Sequence, residues 1–303
     1  MLEDLLYIIK DGVLLGLIWG VMAIGVFISF RVLDFADLTA EGSVTLGGAV
    51  VTNLILSGMT PILATLISFL VGMLAGLVTG VLHAKLKIPA ILAGIITMTG
   101  LYTINLRVLG RASQAYTDNN LTIFNYLDEV PADYRKMIIS LLIIVLVVLA
   151  VYWFFGTEIG TDIRATGMNP KMARAQGINT NVMIILGLMI SNGLIALSGA
   201  LQVQTMRNAN MDIGKGIIII GLGSIILGEA IFGKRSFKNW LISVVLGSII
   251  YQMLVAVAIN LGMDANDLKL IQAILIALIL SIPVIKPGII KLISLLHKEK
   301  KKC

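Results

Sequence analysis

Nine apolar runs of spanning length follow one another along the chain, at residues 12–30, 38–56, 61–82, 88–109, 137–155, 182–203, 213–232, 240–261 and 268–285. Each is close to the ~20 residues an α-helix needs to cross a bilayer core. Backbone groups in lipid must be satisfied internally, so the pattern predicts an all-α, polytopic membrane helix bundle of about 8–9 transmembrane helices. One run is interrupted: Asp34, Asp37 and Glu41 fall where the second begins. That predicts either a plain crossing or a broken or re-entrant helix over residues 34–45, which changes the count by one. The polar passage from Thr161 to Asn179 carries a helix signal of its own. Asn169 suits an N-cap, Pro170 the first helical position and Gly177 a left-handed C′ residue, which predicts two turns from Pro170 to Gln176. A helix so short is marginal alone in water. It is either a capped connector or an element presented to a partner, with Lys171 and Arg174 as a basic flank and Ala173 and Ala175 allowing close approach.

Composition removes the soluble alternatives. Of the 303 residues, 58% are hydrophobic and 13% charged, against roughly 25% charged in soluble domains. Mean hydropathy is +0.97. Spans and short loops use up the length, so residues 1–303 read as a single transmembrane domain without a separate catalytic one. If each run crosses once, Arg31, Lys85, Lys87, Arg164, Lys171, Arg174, Lys234, Arg235, Lys238 and the basic tail 286–303 share one side. By the positive-inside rule that side is the cytoplasm. Glu3, Asp4, Asp118, Asp128, Glu129, Asp133, Asp264 and Asp267 collect on the other. The expected placement is multi-pass in the cell membrane, with the N-terminus outside and the loop 157–180 and the tail inside. The first run lacks a basic leader and a cleavage site and is read as a retained span. Topology accounts for the net charge of +6 without nucleic acid, and the tail lysines suit anionic lipid headgroups. Cys303 stands alone and forms no internal disulfide.

Little of the chain offers reaction chemistry. Residues 228–235 match the opening of a phosphate-binding loop, but Arg235 occupies the position that must offer magnesium a hydroxyl. ATP would therefore bind elsewhere, and no cofactor is expected in this chain. His83 and His297 have no metal-ligand spacing, and no nucleophile motif is present, so the chain is not expected to be an enzyme. Ionisable groups within spans mark either a pathway or a paired structural contact. The pathway candidates are Asp37, Glu41, Gly42, Ser43 and Glu229; Arg107, Asn105, Asn192, Gln202 and Gln252 either line a route or bond helix to helix. Trp19, Phe27 and Tyr102 lie on spans and read mainly as packing residues. Gly12/Gly16/Gly20 and Gly72/Gly76/Gly80 form small-residue faces for close helix crossings, read first as packing inside one subunit. Gly16-Leu17-Ile18 leading to residues 37–43 resembles Gly193-Leu194-Ile195 leading to residues 221–224, a weak inverted repeat.

Residues 164–179 resemble the cytoplasmic coupling loop of permeases in the branched-chain amino acid and simple-sugar ABC importer superfamily. Residues 37–43 are similar to the early Asp-Leu-Ser/Thr stretch of those permeases, and residues 221–228 to their glycine-rich membrane segment, in the same order. Residues 31–39 look most like permeases labelled as tryptophan/tyrosine transport components. The resemblance implies a permease homodimer, two cytoplasmic ABC ATPase subunits that bind the ATP, and an extracytoplasmic substrate-binding protein. It implies that Arg164, Gly167, Asn169, Pro170, Lys171, Ala173, Arg174 and Gly177 form the ATPase-coupling segment. The implied cargo is a small solute, first an aromatic amino acid. Glu41 stands between Ala40 and Gly42, where sugar permeases place glycine directly after a small residue, which weighs against sugar. The alternative is an ion-coupled secondary transporter that uses the membrane carboxylates.

Overall fold

The computed structural model describes residues 2–117, 121–126 and 131–260, together with positions 270, 273, 274 and 277. The ninth run, the basic tail and part of the acidic loop lie outside the described residues. The helices are α1 (Leu2–Phe27), α2 (Thr39–Leu56), α3 (Pro61–Ala84), α4 (Ala90–Leu109), α5 (Ala132–Phe154), α6 (Glu158–Met168), α7 (Pro170–Ala175), α8 (Thr180–Met206), α9 (Ile217–Phe232) and α10 (Phe237–Asn260). Two short strands, β1 (Ser113–Ala115) and β2 (Asn208–Asn210), pair antiparallel with Gln114 opposite Ala209. Among the described residues, six helices are long and apolar enough to cross a membrane: Ile9–Val32, Pro61–Ala84, Ala90–Leu109, Tyr134–Phe154, Thr180–Met206 and Phe237–Asn260. The chain is thus a multi-pass, all-α membrane bundle. α2 and α9 fall in the second and seventh predicted runs but are only 18 and 16 residues long.

α8 is the central post. It packs against α1, α2 and α3, and most of its length is buried. The two glycine faces are used inside the chain. The Gly12/Gly16/Gly20 face meets α10 around Ile249 and Met253, and the Gly72/Gly76/Gly80 face meets α8 from Ile185 to Ala196. Without side chains at these positions the backbones approach closely enough for dispersion contacts along both seams.

The bundle has two distinct ends. At one, the Arg31 guanidinium bonds Glu229 at 2.7 Å, the Phe35 and His83 rings lie 5.0 Å apart, and α6 packs against the turn Ile28–Val32 that follows α1. At the other, the β ribbon ties the end of α4 to the end of α8, and Asn53 Nδ2 donates to the Val108 carbonyl at 2.8 Å. The loop lysines and arginines expected to share a side do gather at the first end.

The polar interruption after α1 is built in stages. α1 continues through a π-helical turn, Ile28–Val32, and Asp34 then takes φ +53°, a left-handed conformation that Asp tolerates better than most side chains. Helical geometry resumes at Thr39, so Glu41, Gly42 and Ser43 belong to the first turn and a half of α2. That start lies inside the bundle. Leu38 touches Gly94, the fifth residue of α4, and Ser43 Oγ donates to Asn192 at 2.6 Å, about 18 Å along α8 at 1.5 Å per residue. α9 also begins inside, because the Gly216 N–H donates to Glu41 Oε1 at 3.0 Å. From this shared level α2 runs toward the β ribbon, and α9 runs toward Arg31.

Candidate functional site

Two places concentrate the predicted site residues: the α6–α7 loop and the level where α2 and α9 begin. In the loop, Thr157 caps α6 by accepting from the Gly160 N–H at 3.3 Å. This 11-residue helix was not anticipated from sequence. It buries Ile163 and Thr166 and lays Gly167 against the turn after α1. A Cβ at Gly167 would stand 1.8 Å from the Val32 carbonyl oxygen, so only glycine lets the two segments touch. Arg164 is held over the Phe237 ring, 4.8 Å from its centroid.

α7 has the expected caps. Asn169 Oδ1 accepts from the Met172 N–H at 3.1 Å. Gly177 takes φ +86°. The Ile178 N–H reaches the Ala173 carbonyl and the Gly177 N–H the Arg174 carbonyl, at 3.1 and 3.0 Å, the paired bonds of a Schellman ending. Ala173 is buried, and Arg174 Nε bonds Thr180 Oγ1 at 2.7 Å, fixing α7 to the start of α8. Arg164, Gly167 and Ala173 therefore hold the loop on its own chain, and Asn169 and Gly177 shape it. Pro170, Lys171 and Arg174 are left exposed. With them stand Met168 and Met172, 87% and 61% exposed, a pliable apolar pair of the kind binding surfaces use. Their i,i+4 spacing was visible in the sequence, but the break at Asn169 hid whether the two share a face.

At the level inside the bundle, Asp37 is fully buried. Its Oδ1 accepts from the Thr39 N–H at 2.9 Å and its Oδ2 from Asn192 Nδ2 at 2.6 Å. A carboxylate at this position satisfies an orphan donor and complements the positive end of α2. Asn192 Oδ1 in turn accepts from Ser43, and Thr39 shares a 2.7 Å hydroxyl contact with Thr79 of α3. Asp37 and Ser43 thus belong to one network joining α2, α3 and α8. Glu41 and Gly42 face the other way, into a cavity of about 300 Å³ lined also by Thr45, Met98, Tyr102, Asn105 and Lys215. Glu229 is not part of either group. It sits at the basic end, where its two oxygens accept from Arg31 and from Trp240 Nε1 at 2.7 and 2.9 Å.

Comparison with known proteins assigns the chain to a family. The family model for the permease component of branched-chain amino acid transport systems matches residues 8–282. A tyrosine transport system permease protein of Clostridioides difficile (strain R20291) is 39% identical over 260 residues, covering 86% of each chain. The nucleoside ABC transporter permease protein NupC of Lactococcus lactis subsp. cremoris (strain MG1363) is 29% identical over 64% of this chain and 65% of its own. The ribose import permease protein RbsC of Haemophilus influenzae (strain ATCC 51907 / DSM 11121 / KW20 / Rd) is 24% identical over 63% and 59%. No solved structure gives a significant match. With nearly its whole length matched, the chain belongs to the branched-chain amino acid transport system permease family, the membrane-spanning components of ABC-type transporters.

Proposed function

We propose that this permease imports an aromatic amino acid across the cell membrane, driven by separate ABC ATPase subunits that dock on α7. The exposed surface of Lys171, Met172 and Arg174 on the doubly capped α7, beside Met168 at the end of α6, carries the proposal. Such a helix needs a partner to complete its packing. ATP would bind in the partner subunits, a second permease copy would complete the pathway, and an extracytoplasmic binding protein would deliver the solute. The tyrosine permease relative supports the cargo class, and lipid headgroups would contact the basic tail. The basic end faces the cytoplasm and the N-terminus lies outside, in keeping with the positive-inside rule.

Movement has a defined path. A push on α7 is transmitted by α6 through Gly167 to Val32 and Leu33, and from there to the break that precedes α2. Asp37 and Ser43 tie that start to α8 through Asn192, so a shift of the break relative to α8 displaces Glu41 and Gly42 at the cavity. Alternating access follows if the ATP-bound and free ATPases favour different positions of the break. α2 and α9, short helices starting side by side and running opposite ways, fit an inverted repeat with interrupted helices, and counting both gives eight crossings before the ninth run. Of the pathway candidates, Asp37, Glu41, Gly42 and Ser43 lie on this route, whereas Glu229 serves it as an anchor at the basic end.

Reversing the exposed charges, as in Lys171→Glu and Arg174→Glu, is expected to cut ATP-driven tyrosine uptake about tenfold or more, equal to about 1.4 kcal/mol of lost docking. Insertion and expression stay normal. Unchanged uptake in both variants, or uptake driven by an ion gradient without nucleotide, would overturn the proposal.

A further inference from the structure

We propose that the cavity between α2, α4 and the segment before α9 binds one zwitterionic α-amino acid, its ammonium held by Glu41 and Asn105 and its carboxylate by Lys215. The assignment deepens the import reading and rests on it. Two unmet acceptors carry the argument. Asn105 is 1% exposed. Its Nδ2 donates to the Gly42 carbonyl at 3.0 Å, which fixes the amide orientation because a carbonyl can only accept. Its Oδ1 is left buried without a hydrogen-bond partner. Orphaned buried acceptors are rare and point to an absent donor. Glu41 is the second. The Gly216 N–H occupies Oε1, one of about four acceptor positions on a carboxylate. Among the described residues no lysine or arginine forms an ion pair with it. A carboxylate within a helix bundle and without a cation is costly. An ammonium, with one positive charge and three donors, answers both needs.

The opposite charge is present on the same wall. Lys215 lines the cavity and uses one donor on Asp212; two remain for a substrate carboxylate. The remaining walls come from Met98, Tyr102 and Met211, around a volume of about 300 Å³. That is the lower end of ordinary small-ligand sites and suits one amino acid. Thioethers and a phenol ring pack well on a flat apolar side chain, and a sugar would leave the Glu41 carboxylate without a cation. Lys215 did not stand out in the sequence, because only the fold brings its glycine-flanked stretch to the cavity.

The test uses the purified full chain in lipid nanodiscs without ATP, titrated with L-tyrosine, with tyramine, which lacks the carboxylate, and with 3-(4-hydroxyphenyl)propanoate, which lacks the ammonium. L-Tyrosine is expected to bind about 10- to 100-fold more tightly than either analogue, the effect of losing one charge-assisted hydrogen-bonded pair. Glu41→Gln keeps an acceptor for the Gly216 N–H, so it preserves the helix contact. It should weaken L-tyrosine and tyramine and leave the propanoate unchanged, whereas Lys215→Met should weaken L-tyrosine and the propanoate and leave tyramine unchanged. Equal binding of all three probes, no binding of any, or variants that weaken all probes alike would overturn the site. Selective binding in nanodiscs combined with no ATPase dependence of uptake would overturn the import reading and leave the site standing.

Discussion

Asn192 joins two buried polar groups in the interior of the bundle. Its amide joins Asp37 to Ser43 at 2.6 Å on each side, and replacing it with leucine would orphan a buried carboxylate oxygen and a buried hydroxyl together. Asn192→Leu is expected to lower stability by roughly 2–5 kcal/mol, with each orphaned group costing about 1–3 and the charged one more. A melting curve in detergent measures it, and a loss below about 1 kcal/mol would mean the network is dispensable. Tyr116, just past β1, gives a prediction in pH. Burial, opposed in part by its hydrogen bond with Thr52, pushes its phenol up from 10.0 to about 12. The folded chain therefore holds this proton more tightly than the unfolded chain, and the contribution is complete below pH 10.0 and lost as pH rises through about 12. Tyr116→Phe should remove that part of the alkaline destabilisation. It should also remove a phenolate absorbance step that wild type shows near pH 12 rather than near 10.0.

At the scale of elements, two glycine faces with the same spacing have unequal tolerance. A Cβ at Gly76 would meet the Leu188 carbonyl oxygen at 2.2 Å, whereas one at Gly20 finds its nearest neighbour, the end of Ile144, at 3.5 Å. Gly76→Ala must part α3 from α8 and should cost about 1–3 kcal/mol. Gly20→Ala should be neutral or stabilise by up to about 1 kcal/mol through helix propensity. Thermal unfolding of the two variants in one detergent compares them, and equal effects would contradict the packing. Sequence spacing identified both faces but not this difference, because tolerance depends on which neighbour lies opposite. α6 was missed for a related reason. Its apolar residues are too few to announce a helix, and it is stable because Gly167 and Ile163 find a surface on the turn after α1 and on α8.

For the whole molecule, the gathering of the basic residues at one end makes topology testable. Cysteines placed singly at Lys171 and at Ser113, with Cys303 replaced, should react with a membrane-impermeant maleimide from opposite sides of intact cells, Ser113 from outside. Labelling of both from one side would break the assignment. The runs of apolar residues and the caps of α7 were decided by the sequence alone. Solvent and lipid act on every residue in the same way, and Asn169, Pro170 and Gly177 act on their own backbone. The sequence also marked Asp37, Glu41 and Glu229 as costly charges. What it could not assign was their partners, since each pairing joins residues far apart along the chain. Glu229 meets Arg31 and becomes an anchor. Glu41 meets the backbone N–H of Gly216, just before α9, and lines a cavity with Asn105. Three similar side chains took three roles because charge within a membrane bundle is governed by what the fold brings within hydrogen-bonding reach.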